Sequence, residues 1–153
     1  MIEKPLIVHN AITLTEPWAT LMAIGAKKNE TRSKRTHFRG WLAIHAGKAF
    51  PINARALCVD YPFADVLGHD AVELMRGSTL GKVLAVVRVI DCVPTHEFLF
   101  SVNHPERHFG DYSFGRFAHI TDAVYRLKEP MPARGFQSIP WKLPVPITAD
   151  MLA

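Results

Sequence analysis

Between residues 25 and 32 the chain reads Gly25-Ala26-Lys27-Lys28-Asn29-Glu30-Thr31-Arg32, which sets one carboxylate among cations. If residues 30–32 run as a strand, Glu30 and Arg32 project to one face, because alternate side chains do. Lys27, in the turn before, can reach that face. Such a trio can hold an anion, or offer a fixed carboxylate to the hydrogen-bonding edge of a nucleobase. As a plain surface ion-pair cluster it would be worth under about 1 kcal/mol. Lys27 can bind phosphate or, taken out of water, act as a base. Glu30 can accept from a base amino group or position a water, or serve only as the partner of Arg32, whose planar fork suits phosphate.

More cations follow. Lys34, Arg35, His37 and Arg39 form a basic loop, and Lys48 follows the next apolar stretch. Together they can track a phosphodiester backbone, although a loop this short is ordinarily just solvated. Trp18 can stack on a base, or pack into a core beside Leu21 and Met22, which share its helical face. His104 and His108 have the i, i+4 spacing of a metal-binding helix, but no third ligand is obvious beyond Glu97 or Asp111, so no metal and no cofactor are expected. No Gly-x-Ser-x-Gly elbow occurs, and Cys58 and Cys92 lie in helical and valine-rich settings where thiols are inert. His45 ends an apolar stretch and reads as a buried, satisfied histidine.

The elements that must position these residues follow from pattern. Leu6 to Leu14 reads as a strand. Thr15 can cap a helix with Glu16 and Pro17 in its first turn, and Gly25 can end it in a left-handed turn. Trp41 to Ala46 is a buried strand. Ile52 to Tyr61 and His69 to Arg76 read as helices, separated by Pro62, with Gly77 stopping the second. Lys82 to Val93 is rich in β-branched residues, and the unbroken apolar run Val83 to Val87 predicts cover on both faces. Thr95 can cap a short helix around Glu97 to Phe100. Gly115 to Leu127 is a strand, and Ile139 to Leu143 is the strand-like piece of a proline-punctuated tail. Five or six strands and three or four helices, not in regular alternation, predict an α+β fold: a small, mostly closed barrel with helices at its rim.

The 153 residues suit one domain, residues 1–153, with a real core. Apolar residues make up 48% and charged ones 21%, which excludes a disordered chain. Eighteen Lys and Arg against fourteen Asp and Glu give +4, a mild lean toward an anionic partner. Two cysteines exclude a disulfide framework, and without a Cys-x-x-Cys pair a zinc ribbon is excluded too. No apolar run approaches the roughly 18 residues of a membrane span, and Met1 to Asn10 lacks a signal-peptide core, so a cytoplasmic, non-membrane protein is expected. Oligomeric state is not legible.

The ordered set of motifs resembles the ASCH domain family of the PUA-like superfamily. The likeness rests on Pro17-Trp18, on Gly25-x-Lys27-x-x-Glu30-x-Arg32, and on Arg39-Gly40 leading to Ile44-His45-Ala46. It continues through Gly81-Lys82, Phe109-Gly110-Asp111-Tyr112, Gly115-Arg116-Phe117-Ala118, and the tail Pro130 to Trp141. It spans about Leu14 to Leu143. The resemblance implies a small PUA-like β-barrel flanked by helices, with a positively charged cleft beside the first helix that binds nucleic acid, RNA preferred, or a modified nucleotide. It adds Arg116, Tyr112, Ser113 and Lys82 as cleft residues. Some relatives are enzymes, one branch hydrolysing N4-acetylcytidine and another attributed ribonuclease activity. By that likeness Lys27 would activate the nucleophile and Glu30 would orient water, although Glu30 stands where the hydrolases carry threonine. A non-catalytic domain that binds protein is the remaining alternative.

Overall fold

A computed structural model describes residues 2–153. The first strand, β1 (Ile7–Leu14), leads into a short helix, α1 (Trp18–Ala23), and then the brief strand β2 (Asn29–Arg32). After the basic loop comes β3 (Gly40–Ala46), then three helices, α2 (Ile52–Leu57), α3 (Phe63–Leu67) and α4 (Ala71–Ser78). The long strand β4 (Lys82–Pro94) runs into the four-residue α5 (Thr95–Phe98). The longest strand, β5 (Phe117–Pro132), and β6 (Trp141–Thr148) complete the set.

All six strands form one sheet in the order β2-β5-β4-β3-β1-β6. Only β1 and β3 run parallel, with Ala11 beside Ala43 and Leu14 beside Ala46; every other pair is antiparallel. The fold is therefore α+β, but the expected barrel does not close. Strands β2 and β6 are the two edges and do not pair with each other. Two features explain this. β2 offers only four residues, all engaged in register with Phe117 to Ile120 of β5. β6 carries Pro144 and Pro146, which lack the N–H that a further partner would need. The sheet still curls: Leu127 in β5 bridges Leu152 near the C-terminus, and the Ala153 N–H donates to the Arg126 carbonyl at 2.8 Å.

Each face of the curled sheet has its own core. On one side α1 lays Ala19, Met22 and Ala23 against Ile12, Ile44, Ala85 and Val87. On the other, Val8, Val83 and Val86 meet Trp141, Leu143 and Ile147. The central strand β4 is consequently buried continuously from Val83 to Val87, as its apolar run predicts. Trp141 is almost fully buried and belongs to this second core, and Trp41 packs half-buried against Tyr125.

The start of α1 differs from expectation. Thr15 contributes its backbone carbonyl, which accepts from the N–H groups of Trp18 and Ala19, and its side chain does not cap. Glu16 does that work instead. Its fully buried carboxylate accepts from the Thr20 N–H at 2.8 Å and from the Thr20 and Thr79 hydroxyls at 2.6 Å each, which ties α1 to the end of α4. Three donors on one buried carboxylate replace the water it has lost. Thr95 is not a cap either; its hydroxyl lies 2.8 Å from the Ser113 carbonyl and fastens α5 to the loop before β5. The segment after Pro62 forms α3 where a break was expected, and α4 runs through Gly77 to Ser78. No helix is long and apolar enough to cross a membrane among the described residues.

A cleft between the first helix and an edge strand

Gly25, at φ +79°, turns the chain out of α1 in a conformation that a side chain would strain, and so sends the next residues back along the sheet as β2. Within β2 the period of two does what the spacing requires. Glu30 and Arg32 share a face, with Arg32 Nε 2.9 Å from Glu30 Oε2. Arg32 also donates from Nη2 to the Thr13 carbonyl at 2.8 Å, so β1 fixes the guanidinium and the guanidinium fixes Glu30. Lys27 comes to the same carboxylate from behind, its Nζ 3.5 Å from Glu30 Oε1 and donating to the Asn29 carbonyl. The trio thus converges. Its members differ in access, however: the side chain of Lys27 is 1% exposed, that of Glu30 15% and that of Arg32 24%.

Glu30 and Arg32 line a cavity of about 570 Å³. One wall is aromatic: Trp18 meets Phe63 edge-on with ring centres 6.4 Å apart, and Phe63 meets Phe109 at 5.0 Å. The opposite wall is polar. Arg116 reaches it, donating to the Thr31 and Asp111 carbonyls at 3.1 Å each and lying 3.5 Å from the Asp111 carboxylate. The Asp111 carboxyl is held below its ordinary pKa, chiefly by the hydrogen bonds it accepts from Ser113. Thr31 points to the other side of β2, where its Oγ1 accepts from the Asp111 N–H at 2.9 Å. Gly110 is closely approached: a Cβ there would stand 3.1 Å from the Thr31 and Tyr112 side chains, which would have to give by a few tenths of an ångström.

Outside the lining, against the turn before β2, lies a third carboxylate that sequence reasoning missed. Glu106 Oε1 accepts from the Lys28 N–H at 2.5 Å, while its Oε2 is buried without a hydrogen-bond partner. Burial pushes its carboxyl pKa up, against the pull of the Lys28 N–H and of Lys27. Tyr112, buried alongside and 3.4 Å from Asn29 Nδ2, has its phenol pKa pushed up to about 12 by burial. Glu106 sits 78 positions from the amide it caps, and no period or motif in the chain marks it.

The structure does not bring the whole basic loop to this cavity. Lys34 is exposed away from the lining. Arg35 lies over the Phe117 ring at 4.8 Å and donates to the Cys92 carbonyl, and Arg39 pairs with Asp91 at 3.7 Å, both at the far ends of β4 and β2. Lys82 is also outside the lining, and Tyr112 and Ser113 lie behind it. Lys48 lines an adjoining cavity that shares Thr13, Thr15 and Gln137 with the first. His104 meets His108 edge-on at 4.8 Å and is stacked with Tyr61 at 5.4 Å. Among the described residues no three His, Cys, Asp or Glu side chains gather as a metal site. His108, Phe63, Phe109, Asp111 and Gln137 are lining residues that the spacing alone did not single out as a cleft.

Two buried histidines brace the surroundings. His45 Nε2–H donates to the Ala133 carbonyl at 2.7 Å, which leaves Nδ1 to accept from the Thr13 hydroxyl at 3.0 Å; that hydroxyl oxygen in turn accepts from Trp141 Nε1–H at 3.0 Å. His119, paired in register with Glu30, donates from Nε2 to the Lys34 carbonyl at 3.2 Å. Burial is the main cause holding both pKa values below the ordinary imidazole range. Both therefore stay neutral in the fold at a pH where the unfolded chain takes up protons. Their contribution is complete above about pH 6.5 and drains away as the pH falls below it toward their folded values. His119→Gln retains an N–H donor for Lys34 but does not titrate. Between pH 7.5 and 5.5 the wild type should lose more Tm than this variant; equal losses would contradict the assignment.

Comparison of the chain with protein-family models and with curated protein sequences finds no match.

Proposed function

We propose that the cleft binds a nucleobase, presented either by a modified nucleotide or by single-stranded RNA, and that the chain is an ASCH domain of the PUA-like kind. The observation that supports this most is the state of Glu30. Its carboxylate faces the cavity with each oxygen anchored on one side, by Arg32 and by Lys27, so lone pairs remain free toward the open space. Two acceptors held rigidly suit a ring N–H and an exocyclic amino group. The partly exposed Trp18 supplies flat apolar surface on which a base stacks, an interaction worth about 1–3 kcal/mol per base, and the buried Phe109 and Phe63 rings back it. Arg32 and Arg116 at the same cavity suit the polar substituents of the base and its sugar.

Tryptophan fluorescence can follow titration with ribonucleosides, with N4-acetylcytidine and with short single-stranded RNA. Glu30→Gln removes the charge and one acceptor and should weaken base binding about 10- to 100-fold. RNA affinity should fall as salt is raised. Unaltered binding by the variant, or no binding of any of these at low salt, would reject the reading.

Hydrolysis of an acylated cytidine is the second reading, favoured by the buried Lys27 beside two carboxylates, Glu30 and Glu106. Because the Lys27 amine is covered, a substrate would meet Glu30 and Arg32 first, and binding takes precedence. Release of cytidine from N4-acetylcytidine that disappears in Lys27→Met would reverse that order.

A further inference from the structure

The two adjoining cavities divide their charges unequally. The first carries both signs, Glu30 and Asp111 against Arg32 and Arg116, and those four are engaged with one another or with backbone carbonyls. The second, of about 510 Å³, has no carboxylate in its lining and two cations, Lys48 and Arg134. Neither makes an ion pair or a side-chain hydrogen bond among the described residues. Each nevertheless rests against a neighbour. The stem of Lys48 lies along Gly81, where an added Cβ would stand 3.1 Å from its Cγ and 3.3 Å from its Cε. The Arg134 guanidinium rests 5.6 Å from the centre of the Phe136 ring, and Phe136 is braced against Trp141.

The backbone here is also open to a guest. Residues 134–136 lie past the end of β5, and the amides of Arg134 and Gly135 donate to no backbone carbonyl among the described residues. Gly135 has no side chain because none fits: a Cβ would come within 2.6 Å of His45 Cε1 and of Thr13 Oγ1. This close approach presses the strap onto the His45–Thr13–Trp141 network and sets Arg134 at the rim.

Positioned cations without counter-charge, beside free backbone N–H groups, fit an oxyanion with several acceptor oxygens. The two cavities are neighbours that share Thr13, Thr15 and Gln137 in their linings. We infer that Lys48 and Arg134 hold a phosphate joined to the base in the neighbouring cleft, so that the ligand is a nucleotide or a nucleic-acid strand and not a free nucleoside. This rests on the nucleobase reading of the first cavity and adds the class of molecule that carries the base.

Isothermal titration at low salt tests it. The ligands are the four ribonucleosides and N4-acetylcytidine, each with its 5′- and 3′-monophosphate, together with inorganic phosphate and a dinucleoside monophosphate. The proteins are wild type, Lys48→Ala, Arg134→Ala and the double variant, all changed at exposed positions. For the base that binds, a monophosphate should bind about tenfold or more tightly than its nucleoside, and the ratio should collapse toward one in the double variant. A dinucleoside monophosphate that binds more tightly than the mononucleotide identifies a strand as the ligand; the reverse order identifies a free nucleotide. Nucleoside binding with no gain from phosphate, or a gain that the variants leave intact, overturns this inference and leaves the base reading standing. Binding of inorganic phosphate alone, or of nothing, overturns the base reading and the nucleotide with it.

Discussion

Lys27→Ala should destabilise the protein by about 3–5 kcal/mol, the cost of stripping the partner from charges held out of water. The side chain is 1% exposed, and its amine serves three groups: the Asn29 carbonyl, Glu30 Oε1 at 3.5 Å, and the half-buried Glu106 carboxylate, whose raised pKa it partly offsets. Removing it takes a donor from that carbonyl, leaves a void the length of the lysine stem, and leaves Glu106 with Lys28 as its remaining cation. Lys27→Met fills the void and should recover about 1–2 kcal/mol of the loss, because only the polar part is then missing. The sign of the pH effect follows from Glu106. With one of its two nearby cations gone its carboxyl is pushed further up, so the variant's native state takes a proton more readily as pH falls. The deficit of Lys27→Ala should therefore shrink between pH 7 and pH 5. Urea unfolding at both pH values measures this; a loss below about 1 kcal/mol at pH 7, or a deficit that grows on acidification, would contradict the placement of Lys27.

Phe109→Ala should cost about 3–5 kcal/mol as well, by a different route. The ring is fully buried, packs 5.0 Å from Phe63 and contacts Leu21, and forms the wall that the cavity shares with the third apolar cluster. Its removal opens the cleft toward the core, so Trp18 and Phe63 lose their backing. Ligand affinity should fall along with stability. Phe109→Leu keeps most of the volume and should cost about 1–2 kcal/mol while loosening the support behind Phe63 and Trp18. An alanine variant that unfolds at the wild-type urea concentration would show that the wall is not packed as described.

Some of this arrangement is legible in the chain. The spacing of Glu30 and Arg32 fixes their common face, and the run Val83 to Val87 marks a strand covered twice, because both depend on local period alone. The open edges of the sheet were less legible. Whether strands meet depends on the lengths of β2 and β6 and on what Pro144 and Pro146 leave unpaired, and the pattern of apolar residues is the same for a closed or an open sheet. The dispersal of the basic loop has a similar cause. Lys34, Arg35 and Arg39 are near Arg32 in sequence, but β2 ends there and the loop departs along β4, where Asp91 and the Cys92 carbonyl take up two of the charges. Glu16 was legible as a first-turn carboxylate, but its tie to Thr79, 63 positions away, was not, and Glu106 was invisible as a structural carboxylate because the Lys28 amide it caps lies 78 positions away. Arg134 hid in a proline-rich tail and gains meaning only from its nearness to Lys48 in the second cavity.

The most direct test of the cleft is a two-dimensional NMR titration of the labelled protein with cytidine monophosphate and its three counterparts. The account predicts saturable shifts for the Trp18 indole and for the amides of Glu30, Arg32, Phe109 and Gly110, with the Arg35 and Phe117 amides still. Shifts confined to the Arg35–Phe117 surface, or none at millimolar ligand for any of the four, would contradict it.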